Sequence, residues 1–352
     1  GRSPWLDACI GIMESPGTSS LSWELLATGE TPFPILVMAR WTADGLIVQC
    51  QVQHRFGGGD LAGRIVEEYT RRLERLAVEE GWEPAVPSQL DGPRRDPEGK
   101  TVLEFFSRQA AAIPSTPAIH DARTGVSFDY GRVRTLSDRI AAAVVGAGHE
   151  SGTPVTLLFD HGPELAIAIL GVMKAGGVAM PLPADTPAAR LNRLIGLANS
   201  GIVVGSAKTI AEKDFDLFQN GIVDYDEAIT VESSGSAEAQ VSGSDAAYLL
   251  FTSGSTGNPK PVLMSHDALA NLVEFEVGRS PYTGTGRCAQ FAAVGFDVSL
   301  QEIFATWARG ETLYPVPDHL RSDPAALIGF IGECEISRIH LPPLMARAIA
   351  NA

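Results

Sequence analysis

Two alternating apolar runs, residues 33–40 and 46–54, lie near the start of the chain and are separated by an Asp-Gly pair. Such a pair between two apolar runs is a strong signal for a β-hairpin. Asp60 follows three glycines and is placed to cap a helix that extends to about residue 80, with apolar positions on one face. A strand pair and one helix bury too little apolar surface to fold alone. The pattern therefore predicts that residues 1–84 are a small α+β remnant of a larger domain.

Prolines, glycines and charged residues dominate 85–100, which predicts a linker. After it, short apolar runs of strand length alternate with stretches of helical periodicity. That alternation is typical of an α/β fold with doubly wound sheets and helices on both faces, and we predict that residues 101–352 form one such domain. A looser acidic stretch, 212–245, interrupts it. The predicted strands are 118–120, 126–128, 154–159, 178–182, 202–204, 248–251, 290–296, 312–315 and 338–341, and the predicted helices are 101–113, 130–146, 163–175, 187–197, 267–277, 299–308 and 324–334.

Composition and charge exclude several classes of protein. Hydrophobic residues make up 45% and charged residues 20% of the chain, which is ordinary for a protein with a substantial core. The formal net charge of −15 argues against nucleic-acid binding, because phosphate contacts need clustered Lys and Arg. The longest apolar stretch, 165–180, is too short for a membrane span and contains Lys174, which we expect to be a solvated cation.

The spacing of the cysteines and the composition of the N-terminal residues indicate in which cellular compartment the protein is expected. The cysteines are far apart, which predicts neither a disulfide framework nor a zinc site. No segment near the start has the pattern of a secretion signal. Both observations favour a cytoplasmic protein with reduced thiols. The cysteines are Cys9, Cys50, Cys288 and Cys334.

One loop has the composition of a phosphate-binding site. It follows the apolar run Tyr248 to Phe251, and its small residues leave backbone N–H groups accessible beside several hydroxyls and a lysine cation. These hydrogen-bond donors and the positive charge suit the binding of a polyphosphate. The pattern differs from the nucleotide-binding loop that ends in Gly-Lys-Ser/Thr, because the lysine follows a proline. A flexible surface turn remains the alternative on composition alone. The loop residues are Thr252, Ser253, Gly254, Ser255, Thr256, Gly257 and Lys260.

Four segments in order resemble the first four motifs of the acyl-adenylate-forming enzymes, and in particular of the amino-acid adenylation domains of nonribosomal peptide synthetases. The resemblance covers residues 101–352 and implies the N-terminal part of the large subdomain of an adenylation domain. Residues 1–84 resemble the C-terminal end of a condensation domain, although the paired-histidine motif of that family is absent. The four segments are Val126–Tyr130, Met173–Leu182, Thr252–Lys260 and Phe296–Phe304.

The resemblance implies activation of an amino acid by ATP. The substrate carboxylate attacks the α-phosphate, pyrophosphate leaves, and the aminoacyl group is loaded onto the phosphopantetheine of a carrier protein domain. Residues 252–257 and Lys260 would hold the β- and γ-phosphates of ATP, Mg²⁺ would bridge them, and His266 would lie near the nucleotide. Pro261 departs from the family pattern, which has glycine there, and it removes a backbone donor.

Asp297 is the residue that the resemblance assigns to the substrate's α-ammonium group. It is predicted at the end of an apolar strand, where ligands bind in wound sheets, and its alternative role is a helix cap. Phe296 matches an aromatic residue that shapes the acyl pocket, and Val298, Gln301 and His340 match pocket-lining positions. Together with Asp297 they resemble the pattern of domains that activate proline, so proline or a similar small amino acid is the predicted substrate.

Two alternatives remain open. An acyl- or aryl-acid ligase of the same superfamily would leave the carboxylate of Asp297 unpaired, which argues against it. A noncatalytic binding module with the same fold is the other. The family's later motifs, including the C-terminal lysine that contacts the reacting groups, are not found after Pro343. We therefore predict that these 352 residues are an incomplete fragment, joined to the rest of a synthetase, that does not turn over alone.

Overall fold

A computed structural model of the chain describes residues 10–13, 35–42, 45–52, 100–213, 221–231, 239–253, 258–279 and 286–351. The chain divides into two compact units, Gly1–Arg94 and Arg95–Ala352. The predicted domain limits at 84 and 101 stay predictions. No helix among the described residues is both long and apolar enough to cross a bilayer.

The first unit contains a three-stranded sheet in the order β1 (Ile10–Met13), β2 (Ile35–Thr42) and β3 (Gly45–Val52). β1 runs parallel to β2, and β2 runs antiparallel to β3 with Thr42 opposite Gly45. The predicted hairpin is therefore confirmed. The helix predicted from Asp60 lies outside the described residues.

The second unit alternates strands and helices as the periodicity predicts. Its strands are β4 (Pro117–Asp121), β5 (Val126–Asp129), β6 (Pro154–Leu158), β7 (Val178–Leu182), β8 (Ile202–Gly205), β9 (Gly221–Asp224), β10 (Ala246–Ser253), β11 (Pro259–Ser265), β12 (Arg287–Gln290), β13 (Thr312–Pro315) and β14 (Arg338–Ile339). Its helices are α1 (Val102–Ala112), α2 (Tyr130–Gly146), α3 (Pro163–Lys174), α4 (Ala188–Ala198), α5 (Ala207–Ala211), α6 (Tyr225–Ala228), α7 (His266–Arg279), α8 (Asp297–Ala308), α9 (Pro324–Glu333) and α10 (Pro343–Asn351).

These strands form two sheets. One has six described strands in the order β11-β10-β7-β6-β8-β9, and among these β11 alone is antiparallel. The other has five strands in the order β14-β12-β13-β4-β5, and β5 is antiparallel to β4. The α/β fold with helices on both faces of the sheets is confirmed.

The largest core lies between the two sheets and contains α1, α2, α3, α7 and α8. α3 is buried on all sides, which explains why its sequence is apolar almost throughout rather than amphipathic. Gly171 lets α3 approach α2 closely, since a Cβ there would lie 2.7 Å from Ile140 Cβ. α4 and α5 cover the outer face of the six-stranded sheet, and α9 and α10 cover that of the five-stranded sheet.

Three predictions of local structure were wrong. The strand predicted over 290–296 ends at Gln290, and the residues after it form an irregular segment that leads to α8. The stretch predicted to be loose, 212–245, contains β9 and α6. Lys174 is not a solvated cation. Its side chain is 3% exposed, and its Nζ lies 2.6 Å from Asp138 Oδ1 and 2.9 Å from Ser137 Oγ.

Candidate functional site

The carboxyl ends of the parallel strands in the two sheets meet at one edge. His161, which follows β6 in the six-stranded sheet, contacts the Ala292 carbonyl after β12 and the Asp318 carboxylate after β13. Side chains beyond the carboxyl ends of parallel strands are where wound sheets bind ligands. The predicted phosphate loop after β10 and His340 after β14 also follow strand ends of this kind.

The phosphate loop connects β10 to β11. In this hairpin Thr252 pairs with Lys260, and Ser253 pairs with Pro259. Thr252 and Lys260 therefore stand opposite each other in the two strands at the base of the loop, and both residues are exposed. The remaining predicted loop residues, Gly254, Ser255, Thr256 and Gly257, lie outside the described residues.

Sequence reasoning missed a second cation at this loop. The guanidinium of Arg193, on α4, donates a hydrogen bond to Asn258 Oδ1 beside the loop. Arg193 lies 65 positions from Asn258, and its helix has an ordinary amphipathic pattern, so no local signal marks it.

Pro261 fits the hairpin without distorting it. Pro261 lies in β11, which is the edge strand of the described sheet, and it pairs with Phe251 of β10. Proline is tolerated on edge strands because its missing N–H faces away from the ladder. The departure from the family pattern is thus accommodated in the strand.

His266 begins α7, and its ring is enclosed in the core at 1% exposure. Its backbone N–H donates to the Asp245 carbonyl at 2.9 Å. Burial lowers the pKa of the imidazole to about 4, although nearby Asp245 and Asp267 act to raise it. Within the described part of the chain, His266 Nδ1 has no hydrogen-bond partner. The ring is therefore neutral at pH 7.

Asp297 is the first residue of α8, and its side chain is exposed. Its Oδ1 accepts a hydrogen bond from the adjacent Val298 N–H at 2.9 Å. The N-cap position belongs to Phe296, which makes no side-chain cap and is 65% exposed. A capping aspartate accepts from N–H groups two or three residues further on, so the observed geometry differs from that of a cap.

Asp297 also lies near the strand that leads into the phosphate loop. The pKa of the Tyr248 phenol on β10 is raised by burial and, secondarily, by the carboxylate of Asp297. The start of the fourth motif segment thus acts electrostatically on the strand that precedes the phosphate loop. Tyr248 was predicted as a strand residue, and this effect of Asp297 on it was not predicted.

Three predicted pocket residues, Val298, Gln301 and His340, are each partly buried. His340 lies between α8 and α7, with Nδ1 3.9 Å from Glu302 Oε1 and Nε2 4.0 Å from Glu276 Oε2. Burial and the nearby Arg338 lower the pKa of His340, whereas Glu276 acts in the opposite direction. The histidine therefore stands against the helix that carries Asp297, Val298 and Gln301.

Glu302 lies in the fourth motif segment, but sequence reasoning gave it no role. It is fully buried on α8, and its Oε2 accepts hydrogen bonds from the N–H groups of Phe291 at 3.0 Å and Ala292 at 3.1 Å. Burial raises the pKa of its carboxyl to about 8, against the opposing effect of these hydrogen bonds. A carboxyl on the buried face of a largely apolar helix was the available signal.

Magnesium fits this site as part of a complex with a nucleotide. The described residues contain no group of three or more His, Cys, Asp or Glu side chains that could hold a metal ion. Mg²⁺ commonly takes most of its ligands from phosphate oxygens and water, with one or two carboxylates. The exposed Thr252 hydroxyl and Lys260 cation suit the phosphates of such a complex.

Comparison with known proteins identifies a family and several relatives for most of the chain. The family described as "AMP-binding enzyme" matches residues 106–352. AMB antimetabolite synthetase AmbE of Pseudomonas aeruginosa is 30% identical over 311 residues, which are 84% of this chain and 14% of that protein. Tyrocidine synthase 1 of Brevibacillus parabrevis is 29% identical over 248 residues, which are 70% of this chain and 22% of that protein. The chain therefore spans only a small part of the length of these relatives.

Solved structures share the fold. The nonribosomal peptide synthetase FmoA3, in a form bound to α-methyl-L-serine-AMP, matches with a TM-score of 0.67 and 21% identity over 92% of this chain and 38% of that one. NpsA-ThdA, an artificially fused adenylation-PCP di-domain from Klebsiella oxytoca, matches with a TM-score of 0.60 and 22% identity over 69% of this chain and 47% of that one.

Proposed function

Because the chain belongs to the AMP-binding enzyme family and is similar to a part of AMB antimetabolite synthetase AmbE, we propose that it is an adenylating ligase that activates an amino acid with ATP. The substrate carboxylate would attack the α-phosphate, which forms an aminoacyl adenylate and releases pyrophosphate. Proline or a similar small amino acid is the proposed substrate, and a carrier domain with phosphopantetheine is the proposed acceptor.

The observation that carries this proposal is the exposed carboxylate of Asp297 at the first residue of α8, near enough to Tyr248 on β10 to raise the pKa of that phenol. Tyr248 and the base of the phosphate loop belong to the same strand, β10. A carboxylate that would pair with an ammonium group and a loop that would hold phosphates are thus both proposed near β10. That arrangement suits a substrate that carries an amine at one end and meets a nucleotide at the other.

Residues on the nucleotide side would bind and orient the phosphates. We propose that residues 252–257 donate backbone and hydroxyl hydrogen bonds to the β- and γ-phosphates, and that Lys260 adds a point charge. ATP with Mg²⁺, when bound, supplies the electrophilic phosphorus and the pyrophosphate leaving group. His266 would support this region as a neutral ring enclosed at the start of α7.

Residues on the substrate side would bind and orient the amino acid. Asp297 would pair with the α-ammonium group, and the exposed Phe296 would cover the substrate. Val298, Gln301 and His340 would surround its side chain. Residues 1–84 are proposed to belong to the end of a condensation domain, a region in which the described structure contains one small sheet.

A pyrophosphate exchange assay on the complete protein tests the proposal. We expect ATP–pyrophosphate exchange above background with at least one amino acid, and proline is the first to examine. The panel includes fatty and aryl acids that lack an amine. Exchange only with those acids would establish the acyl-ligase alternative, and exchange with neither class, together with no binding of ATP and Mg²⁺, would favour a noncatalytic module. A signal from another amino acid with none from proline would refute the substrate prediction alone.

Lys260 gives a specific prediction for the nucleotide side. We expect Lys260→Ala to raise the KM for ATP by about tenfold, because a charge-assisted contact to phosphate is lost. The matched control is Lys208→Ala, which removes another exposed lysine, on α5. An equal KM for ATP in the parent and the Lys260 variant would exclude the proposed phosphate contact.

A further inference from the structure

Phe291 and Ala292 are consecutive residues whose backbone N–H and C=O groups all form hydrogen bonds with side chains. Their N–H groups donate to Glu302 Oε2 at 3.0 and 3.1 Å. The Phe291 carbonyl accepts from Arg321 Nε at 2.9 Å, and the Ala292 carbonyl accepts from His161 Nε2 at 2.6 Å. Irregular backbone beyond a strand end rarely has so complete a set of side-chain partners, because most backbone hydrogen bonds are made to other backbone groups.

The three holding side chains come from different parts of the unit. Glu302 lies on α8, Arg321 follows β13, and His161 follows β6 in the other sheet. Arg321 also lies over the Phe291 ring, with 5.5 Å from its Cζ to the ring centroid. Asp318 joins two of the three, because its Oδ1 lies 3.0 Å from both His161 Nδ1 and Arg321 Nη1.

The held segment leads directly into the substrate side of the site. Only residues 293–296 separate Ala292 from Asp297, and within them the Phe296 N–H donates to the Ala293 carbonyl at 2.9 Å. α8, which begins at Asp297, carries Glu302 back onto the same two peptide groups. The position of Asp297 is therefore fixed from both of its sides, through the chain before it and through the helix after it.

We infer that Glu302, Arg321 and His161 are positioning residues that set where Asp297 presents its carboxylate. Because His161 reaches across from the six-stranded sheet, the same contacts fix Asp297 relative to β10 and its phosphate loop. This inference rests on the proposed amino-acid activation, since it assigns these side chains to the substrate half of that site. None of the three has to touch the substrate or the nucleotide.

Arg321→Ala is the main test, made in the complete protein. We expect the KM for the amino acid to rise by roughly tenfold with the KM for ATP within about twofold of the parent, because a shifted carboxylate weakens binding of the ammonium alone. Arg139→Ala is the matched control. Arg139 is also partly buried and also donates to a backbone carbonyl, that of Ile229, but it lies on α2 away from this segment. Parallel changes in both KM values, or no change in either, would overturn the inference.

A conservative pair at Glu302 separates positioning from general damage. Glu302→Gln keeps an oxygen that accepts both N–H groups, and we expect its amino-acid KM to stay within about threefold of the parent. Glu302→Leu removes the acceptor and leaves both buried N–H groups unpaired, so its amino-acid KM should rise at least as much as in Arg321→Ala. Equal KM values in the Gln and Leu variants would contradict the role.

Amide hydrogen exchange gives a reading that does not depend on turnover. In the parent protein the amides of Phe291 and Ala292 should exchange as slowly as those of β12, and in Arg321→Ala this protection should fall within 291–297 and not in α2. Fast exchange of both amides in the parent would refute the inference even if a variant failed to fold. Preserved protection with no pyrophosphate exchange for any substrate would instead count against the proposed function alone.

Discussion

Replacing Asp297 with asparagine is expected to lower kcat/KM for the amino acid by about 100-fold, with the KM for ATP little changed. Asparagine keeps a side-chain oxygen that can accept the Val298 N–H, but it loses the charge that would pair with the substrate ammonium. A role confined to the start of α8 would leave this variant near the parent in activity. The measurement is pyrophosphate exchange as a function of amino-acid concentration and of ATP concentration.

Asp323→Asn is the matched control for this experiment. Asp323 also lies at the start of a helix, and it caps α9 by accepting from Ala325 N at 3.0 Å and Ala326 N at 3.1 Å. We expect its exchange kinetics to equal those of the parent. If Asp297→Asn retained full activity with the amino acid, or lost activity equally toward an acid that lacks an amine, the assignment of Asp297 to the ammonium group would be wrong.

The second large expected effect is a pH-dependent loss of stability caused by Glu302. Its pKa is raised from the ordinary 4.5 to about 8 in the folded protein, mainly by burial. Between these two pH values the unfolded chain ionises and the folded chain does not, so the folded state binds the extra proton. The free energy of unfolding should therefore fall as pH rises through this range, by up to roughly 5 kcal/mol for the full shift at about 1.4 kcal/mol per pKa unit.

Urea unfolding of the parent and of Glu302→Gln at pH 5 and pH 8 tests this effect. The amide does not ionise, so the parent should lose stability relative to the variant as pH rises. Other groups that face Glu302 are common to both proteins, and their contributions largely cancel in the comparison. They are Arg321, Arg338, His340 and Cys288. The same dependence on pH in both proteins would mean that Glu302 is already ionised in the fold.

Much of the fold could be predicted from local patterns. The bounds of α2, β7 and β13 agree with the periodicity residue for residue, because the spacing of apolar side chains directly reflects which face of an element is buried. The end of β12 could not be predicted in this way. The apolar run continues to Phe296, but the backbone after Gln290 bonds to Glu302, Arg321 and His161 instead of to a neighbouring strand.

In the candidate site too, some residues could be predicted from local sequence and others could not. Residues 252–257, Lys260 and Asp297 were predicted because each stands in a contiguous motif. Arg193 and Tyr248 were not, because their places depend on partners elsewhere in the chain. Glu302 stands in the fourth motif segment, but its hydrogen bonds to the backbone of Phe291 and Ala292 could not be predicted from it. The predicted residues stay proposals for binding until the exchange experiments are done.

The alternation of strands and helices and the order of the motifs follow from local sequence, since both depend on neighbouring residues. Which distant side chains meet depends on how the elements pack in three dimensions. Lys174 was expected in solvent and is instead buried against Asp138, 36 positions away, because α2 and α3 pack face to face. His161 reaches the Ala292 carbonyl across 131 positions because the carboxyl edges of two sheets come together. Contacts of this kind depend on the packing of whole elements, which periodicity along the chain does not specify.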